Sequence, residues 1–292
     1  MVGARRSAPC HRLGRQLAGR IPRTTRHRHR RHGEEPVSPV DLFVDDAGHA
    51  NHEAVVFLGS LGSTNRMWEP QARAFSDDFR VLCPDTRGHG NSPVPAGPYS
   101  IADLAADVLA LLDRLGVEQT HVVGLSLGGM IAMEMSSSHP KRVRSLAVIS
   151  TSAFLGPRWA WTERAALVRG TGTAAVSNAV VGRWFTAEFA AANPDLVADM
   201  QRMIEHTPAE GYAACCEAIA DMDLRSRLGA IDAPTLVIAG RDDPAAPPEH
   251  LRAIARAIPN ATYLELSPAA HLANWEQQGP VNEALRTHLD NS

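Results

Sequence analysis

The sequence predicts an α/β protein in which helices cover a mostly parallel β-sheet. From Val40 onward, short apolar runs of strand length alternate with amphipathic stretches, a pattern typical of parallel sheets with covering helices. The 292 residues, 44% of them hydrophobic and 21% charged, suffice for one large folded core. No apolar run approaches the roughly 20 residues that a membrane-spanning helix needs. Disordered, collagenous and membrane classes are therefore excluded.

Six apolar runs have the length and composition of buried strands. The helix predicted between the second and third of them begins after Ser100, a good N-cap with an aspartate three residues further on, and ends before Gly116. Apolar residues recur at helical spacing over 100–112. The predicted strands are residues 54–58, 80–83, 120–124, 146–149, 235–239 and 261–265.

The stretch from 151 to 221 differs from the rest, because it has helical periodicity and three tryptophans but no strand pattern. We interpret it as a helical lid inserted into the sheet domain. The predicted organisation is a basic, disordered extension over 1–35, a sheet core formed by 36–150 and 222–292, and a lid over 151–221.

The net charge of −3 conceals an asymmetry. Residues 1–33 contain ten arginines, four histidines and no acid; without those ten, 19 basic residues face 32 acidic ones, so the chain from Glu34 onward carries −13. The acidic body does not favour nucleic-acid binding. The tail leaves open a nucleic-acid arm or an organelle transit peptide. Its lack of apolar periodicity favours a disordered extension or an overcalled translation start.

Four cysteines, Cys10, Cys83, Cys215 and Cys216, do not form a disulfide framework, since adjacent cysteines pair only under strain. We therefore expect a reducing, cytoplasmic location. The tail has no apolar segment of the kind that directs secretion. A monomer and a small homo-oligomer both remain open.

The run Gly-Leu-Ser-Leu-Gly at 124–128 matches the nucleophile-elbow pattern G-x-S-x-G. An apolar strand precedes it and an amphipathic stretch, 129–137, follows, which is the strand–turn–helix context that the motif requires. Small neighbours tolerate the strained turn that exposes the central serine. The pattern predicts Ser126 as a nucleophile, with a tightly packed glycine turn as the alternative.

A serine nucleophile needs a base and an acid that orients the base. His271 follows the last predicted strand, and Asp243 follows the strand at 235–239, giving the chain order Ser, Asp, His of this arrangement. Asp242 competes for the role of the acid. A solvated turn is the alternative for this Asp-Asp-Pro segment.

Acyl transfer also needs donors for the oxyanion. The backbone N–H of Leu127 is the first expected donor, and that of Leu61, in the glycine-containing loop after the first predicted strand, is the second. A plain glycine turn is the alternative there. The Asp-x-Arg-Gly-x-Gly-x-Ser run at 85–92 predicts a tight turn in which Asp85 and Arg87 join neighbouring loops, with no catalytic role for His89.

With these motifs in order, residues 40–292 resemble the α/β-hydrolase fold superfamily. The narrower resemblance is to the 3-oxoadipate enol-lactonases, which open an enol-lactone during aromatic catabolism in the β-ketoadipate pathway. That family carries its acid at the third position after the glycine, which favours Asp243 over Asp242. The segments that carry the narrower resemblance are 60–64 with Met67-Trp68, 124–130, 183–186, 211–219 and 221–225.

The resemblance implies a serine hydrolase that acts on a small lactone. We expect no metal or organic cofactor, since no His, Cys or Asp cluster has metal-ligand spacing. A substrate with a free carboxylate calls for a cation in the lid. Arg164 beside Trp161 and Arg183 beside Trp184 are the candidate substrate-binding residues, with solvated arginines and lid-core tryptophans as the alternative.

Two other functions use the same features. The same three catalytic residues serve a broad-specificity carboxylesterase or a cofactor-free perhydrolase, which would differ only in the pocket. A non-catalytic, ligand-sensing protein of this fold is the third reading.

Overall fold

A seven-stranded sheet forms the centre of the computed structural model, which describes residues 38–292. The strands lie in the order β1-β3-β2-β4-β5-β6-β7, and all neighbours are parallel except β1 and β3. The predicted basic extension lies outside the described residues. The strands are β1 (Val44–Ala47), β2 (Ala54–Leu58), β3 (Arg80–Pro84), β4 (Thr120–Leu125), β5 (Val143–Ile149), β6 (Thr235–Gly240) and β7 (Ala261–Leu266).

All six predicted strands are present, and the mostly parallel α/β architecture is confirmed. The first strand, β1, was not predicted, because its sequence Val-Asp-Asp-Ala has no apolar run. It forms at the sheet edge, where its backbone pairs antiparallel with β3 and its two aspartates remain exposed. The β1 strand therefore forms because of its backbone hydrogen bonds to β3 and not because of side-chain burial.

Helices cover the sheet. In the predicted helix, now α2, Ser100 and Asp103 form a reciprocal capping box, as expected. The helices that flank the sheet are α1 (Glu69–Phe75), α2 (Ile101–Arg114), α3 (Leu127–Ser138), α9 (Pro248–Ala257), α10 (Ala273–Glu276) and α11 (Gln278–Asp290), with 3-10 helices at Asn65–Trp68, Pro140–Arg142 and Leu228–Ala230.

Five helices lie between β5 and β6, and we call them the helical insertion. They contribute no strand to the described sheet, and α4 packs along α8. The division of the chain into core and lid domains stays a prediction. The helices of the insertion are α4 (Arg158–Thr171), α5 (Ala174–Val181), α6 (Ala187–Ala192), α7 (Pro194–Glu205) and α8 (Ala209–Asp221).

The central strands β2, β4 and β6 are buried along their whole length, which explains their uninterrupted apolar sequences. Parallel strands end at the same edge of a sheet, so the loops after β2, β4, β6 and β7 converge there. Ligands of open α/β sheets bind at this carboxyl edge. The fold thus brings together four loops that carry five of the predicted site residues, namely Leu61, Ser126, Leu127, Asp243 and His271.

Candidate active site

Ser126 sits on a sharp turn between β4 and α3. Its backbone has φ 57° and ψ −116°, a left-handed conformation that is rare for a residue with a side chain. The turn is held by bonds from the Ser126 N–H to the Ile149 carbonyl (3.0 Å) and from the Thr151 hydroxyl to the Ser126 carbonyl (2.6 Å). A strained conformation held from two sides fits a residue whose hydroxyl must face a cavity.

The glycines of the elbow are required by close backbone contacts. A Cβ on Gly124 would lie 2.3 Å from the Gly128 carbonyl oxygen, and one on Gly128 would lie 2.0 Å from the Leu58 carbonyl oxygen. Larger residues would push α3 away from β4 and β2. The sharpness of the turn therefore depends on both glycines of the motif.

His271 and Asp243 form a buried pair. The Nδ1 of His271 lies 2.8 Å from Oδ2 of Asp243, and both residues are at most 4% exposed. The other oxygen, Oδ1, accepts the backbone N–H groups of Ala245 (2.8 Å) and Ala246 (3.0 Å). A carboxylate fixed in this way holds the histidine ring and leaves Nε2 for a proton transfer.

The neighbouring Asp242 occupies a different environment. Its side chain is 39% exposed and accepts from the backbone N–H of Ala269 at 3.3 Å. The structure therefore places Asp243, and not Asp242, against the histidine.

The loop after β2 supplies the second candidate oxyanion donor. Among residues 38–292, the backbone N–H groups of Leu61 and Leu127 donate to no other protein group, so both are available to a ligand. The two loops are joined, because the N–H of Gly128 donates to the Gly59 carbonyl at 2.9 Å. Leu61 and Ser126 line the same cavity.

His89 positions this loop, a role that the sequence analysis did not assign to it. Its Nε2 accepts the backbone N–H of Gly62 at 2.9 Å, and its Nδ1 lies 3.2 Å from the Arg87 carbonyl, to which it donates. Complete burial lowers the pKa of His89 to about 4. The ring is therefore neutral near pH 7 and accepts a bond directly beside Leu61.

Asp85 and Arg87 join neighbouring loops, as expected. Asp85 accepts the backbone N–H groups of Asn65 (2.7 Å) and Asn91 (2.8 Å), and Arg87 forms a fully buried pair with Asp107 at 2.5 Å. Burial raises the pKa of Asp85, against the effect of these two N–H bonds. The segment at 85–92 therefore supports the loop after β2, which we call the oxyanion loop because it carries the predicted donor Leu61.

A cavity lies between the sheet edge and the helical insertion. The structure brings seven of the predicted residues to its wall, namely Leu61, Ser126, Trp161, Arg164, Arg183, Trp184 and His271. Of the other two, Asp243 lies behind His271 and Leu127 begins α3 behind Ser126. The cavity is small, about 70 Å³, which suits a compact ligand.

Arg164 and Arg183 form no ion pair with any residue in 38–292. Burial lowers the pKa of Arg183, and the nearby Arg164 lowers it further. The Arg164 guanidinium lies 4.8 Å from the centre of the Trp161 ring, in a cation–π contact. Two cations without acidic partners at a cavity wall are chemically suited to an anionic group.

Trp161 and Trp184 are fixed in different ways. The ring nitrogen of Trp161 donates to the Leu155 carbonyl at 2.8 Å. Trp184 is buried, and its backbone carbonyl accepts the N–H of Leu272 at 2.8 Å, which ties the insertion to the residue after His271.

Two of the polar cavity residues that were not predicted from the sequence are Ser150, directly after β5, and Tyr212 on α8. Tyr212 falls within the segment 211–219, which carries part of the family resemblance, but nothing local in the sequence gave it a role. Ser150 has φ 46°, a backbone feature that only the structure reveals.

Between Ser38 and Ser292, no group of three His, Cys, Asp or Glu side chains is placed to hold a metal ion. None of the helices in this range has both the length and the apolar character of a membrane span. The expectation that the reaction needs no cofactor stays a prediction.

Comparison with known proteins agrees with this fold. The sequence profile of a family described as the alpha/beta hydrolase fold matches residues 53–278. The chain belongs to this family and is a hydrolase.

Among its relatives is 3-oxoadipate enol-lactonase 2 of Acinetobacter baylyi, 38% identical over 87% of this chain and 96% of the relative. The crystal structure of the enol-lactonase from Burkholderia xenovorans is 38% identical, with a TM-score of 0.84 over 87% of this chain and all of that one. A thermophilic esterase from Thermogutta terrifontis, in a malate-bound structure, is 29% identical, with a TM-score of 0.82 over 86% of this chain and 94% of the esterase. The resemblance to enol-lactonases that the sequence motifs indicated is therefore confirmed.

Proposed function

We propose that this chain is a serine hydrolase that opens 3-oxoadipate enol-lactone, or a closely similar carboxylate-bearing enol-lactone, to the keto acid. The observation that carries the proposal is the composition of one cavity, in which Ser126 and His271 face two arginines that have no acidic partner in the described chain. A neutral ester has no charged group that could pair with the two arginines, whereas the free carboxylate of the lactone can pair with at least one of them. The named activity of the enol-lactonase relatives supports the same substrate.

In the proposed reaction, His271 Nε2 takes the proton of Ser126 Oγ as this oxygen attacks the lactone carbonyl. Asp243 holds Nδ1–H and stabilises the imidazolium that forms. The backbone N–H groups of Leu61 and Leu127 stabilise the negative charge on the carbonyl oxygen. These five residues supply every proton transfer and charge contact of the acylation step.

The ring then opens as the C–O bond to the enol oxygen breaks. That oxygen takes the proton from His271. The resulting enol tautomerises to the ketone, which makes ring opening thermodynamically favourable. Water, deprotonated by His271, attacks the acyl-enzyme, and the carboxylic acid leaves as Ser126 regains its proton. One water molecule is consumed for each lactone.

The arginines select the substrate in this scheme. Arg164 and Arg183 bind the free carboxylate, and Trp161 and Trp184 provide the apolar wall beside it. The small cavity disfavours esters with long acyl chains.

The decisive experiment follows the ultraviolet absorbance of freshly generated 3-oxoadipate enol-lactone with purified protein, beside p-nitrophenyl acetate as a neutral ester. Rapid loss of the lactone, far faster than ester turnover and abolished by Ser126→Ala, is the expected result. Brisk ester hydrolysis with negligible loss of lactone would overturn the proposed substrate.

The second candidate is a broad-specificity carboxylesterase, which the similarity to the Thermogutta terrifontis esterase favours. A cofactor-free perhydrolase activity belongs to the same candidate, since it uses the same residues. Comparable turnover of the lactone and several aryl esters in the experiment above would identify it. Tight ligand retention with very slow turnover of both would instead identify a ligand-sensing protein.

A further inference from the structure

Two buried hydroxyl groups in the cavity have no acceptor for their hydrogen among residues 38–292, those of Ser150 and Tyr212. A buried donor without an acceptor costs free energy, so such groups in a folded protein indicate a missing ligand or water. Tyr212 is 0% exposed. Arg164 and Arg183 both lie close enough to Tyr212 for their charges to act on its hydroxyl.

Tyr212 is fixed between the oxyanion loop and the helical insertion. A Cβ on Gly62 would lie 3.0 Å from Cε2 of the Tyr212 ring, so the ring packs directly on the residue after Leu61. Cε2 is bonded to the carbon that carries the hydroxyl. The hydroxyl therefore lies close to the loop that lines the reacting end of the cavity.

The same ring is held close to Arg164 by contacts between α4 and α8. Arg169 on α4 binds Glu210 (2.8 Å) and Glu217 (2.9 Å) on α8, on either side of Tyr212 in the sequence. These charge-assisted bonds fix the spacing of the two helices. Arg164, on the same helix as Arg169, lines the cavity together with Tyr212.

The hydroxyl remains a donor at neutral pH. Burial raises the pKa of Tyr212 well above its usual value, and attraction by Arg164 and Arg183, together with a hydrogen bond that Arg164 donates to the phenol oxygen, offsets only part of that rise. A protonated phenol beside two guanidinium groups offers its hydrogen to an acceptor and preferentially to an anion.

We propose that Tyr212 determines selectivity for anionic substrates by donating a hydrogen bond to the ligand carboxylate that Arg164 and Arg183 attract. The inference rests on the proposed function, in which the substrate carries a free carboxylate. Tyr212 contacts the substrate in this arrangement but takes no part in the bond-breaking steps. Its loss therefore weakens binding of an anion without impairing acyl transfer.

The test compares Tyr212→Phe with Tyr263→Phe, a matched control. Tyr263 lies on β7, and its hydroxyl donates to Glu265 at 2.6 Å, remote from the cavity wall. We expect Tyr212→Phe to raise the KM for the enol-lactone by about tenfold to a hundredfold, as for loss of a bond to a charged group. We expect kcat and all p-nitrophenyl acetate constants to stay unchanged. Tyr263→Phe should leave the KM and kcat for both substrates unchanged.

An unchanged lactone KM in Tyr212→Phe would overturn the proposal. Equal losses on the lactone and the neutral ester would also overturn it, because they would indicate a structural role for the ring. Thermal melting of both variants shows whether the fold is retained.

A second measurement separates this proposal from the proposed function. Adipate, a compact dicarboxylate, is titrated calorimetrically into the wild type and both variants, with neutral adipamide as the matched ligand. Tighter binding of adipate than adipamide that is weakened only by Tyr212→Phe supports the role of Tyr212, even if the lactone is not a substrate. Equal affinity for the two ligands, or an adipate affinity that Tyr212→Phe leaves unchanged, would refute it.

Discussion

The two walls of the cavity differ in how their polar groups are satisfied. On the sheet side, Asp243 accepts three hydrogen bonds, including that of His271, and the Ser126 backbone is bonded on both sides. On the side of the helical insertion, Arg164 and Arg183 form no ion pair with any residue from 38 to 292. One wall is pre-organised for a reaction, whereas the other offers charges that a ligand must satisfy.

This difference separates chemistry from selectivity. Changes to the sheet side should impair every substrate, because every substrate passes through the same acyl transfer. Changes to the insertion side should impair only substrates that carry a negative charge. Four predictions test the separation, from the largest expected effect to the smallest.

Replacing Ser126 with alanine removes the nucleophile and should lower kcat by about 10⁵-fold or more for both the enol-lactone and p-nitrophenyl acetate. Calorimetric binding of adipate should be unaffected, since the anion site lies on the other wall. Activity within tenfold of the wild type on either substrate would show that another group attacks the carbonyl.

Asp243→Asn should lower kcat by about 10⁴-fold on both substrates, because the histidine ring loses the carboxylate that orients it. The adjacent Asp242→Asn is the matched control. Its half-exposed side chain makes only weak contacts, so we expect activity within about threefold of the wild type. Steady-state kinetics of both variants test this prediction. Equal losses of kcat in the two variants would show that both aspartates orient the histidine.

Stability should fall as the pH drops from about 6.5 to about 4, in part because of His89. Burial lowers the pKa of its ring from 6.5 to about 4. Between these two pH values, His89 is therefore protonated in the unfolded chain but neutral in the folded protein. That proton is worth about 3 kcal/mol of unfolding free energy over the whole interval. Below about pH 4 both states are protonated, and this contribution changes no further.

His89→Gln keeps an acceptor for the Gly62 N–H but cannot titrate. Urea unfolding at pH 7, 5.5 and 4 should therefore show a shallower pH dependence for the variant than for the wild type. Identical slopes would show that His89 is protonated at its usual pKa within the fold. The result also tests whether the neutral His89 ring, which accepts the Gly62 N–H, stabilises the sheet side of the cavity.

Arg164→Gln and Arg183→Gln should each lower kcat/KM for the enol-lactone, with the larger loss about 100-fold and most of it in KM. Turnover of p-nitrophenyl acetate should change by less than about threefold. Arg202→Gln, an exposed arginine on α7 paired with Asp199, is the control. If either cavity variant impaired the neutral ester as strongly as the lactone, the separation between the two walls would fail.

The sequence by itself determined six of the seven strands and the strand–turn–helix unit that carries Ser126, the predicted nucleophile. Residues such as Gly124, Ser126 and Gly128 are constrained by contacts within a single strand–turn–helix unit and its nearest strand. Such constraints act over a few residues and leave a pattern that can be read locally. Apolar runs of the fully buried strands are equally local, because each strand must be apolar on both faces to fit.

Only the tertiary structure decided which groups meet across the cavity. Edge strand β1 forms because β3 offers it a backbone partner, and no side-chain pattern records this. Asp243 rather than Asp242 faces His271 because of how the loop after β6 turns. His89 bonds Gly62, and Tyr212 packs on the same glycine 150 positions earlier. Packing of distant segments creates these contacts, and a linear sequence carries no spacing from which to predict them.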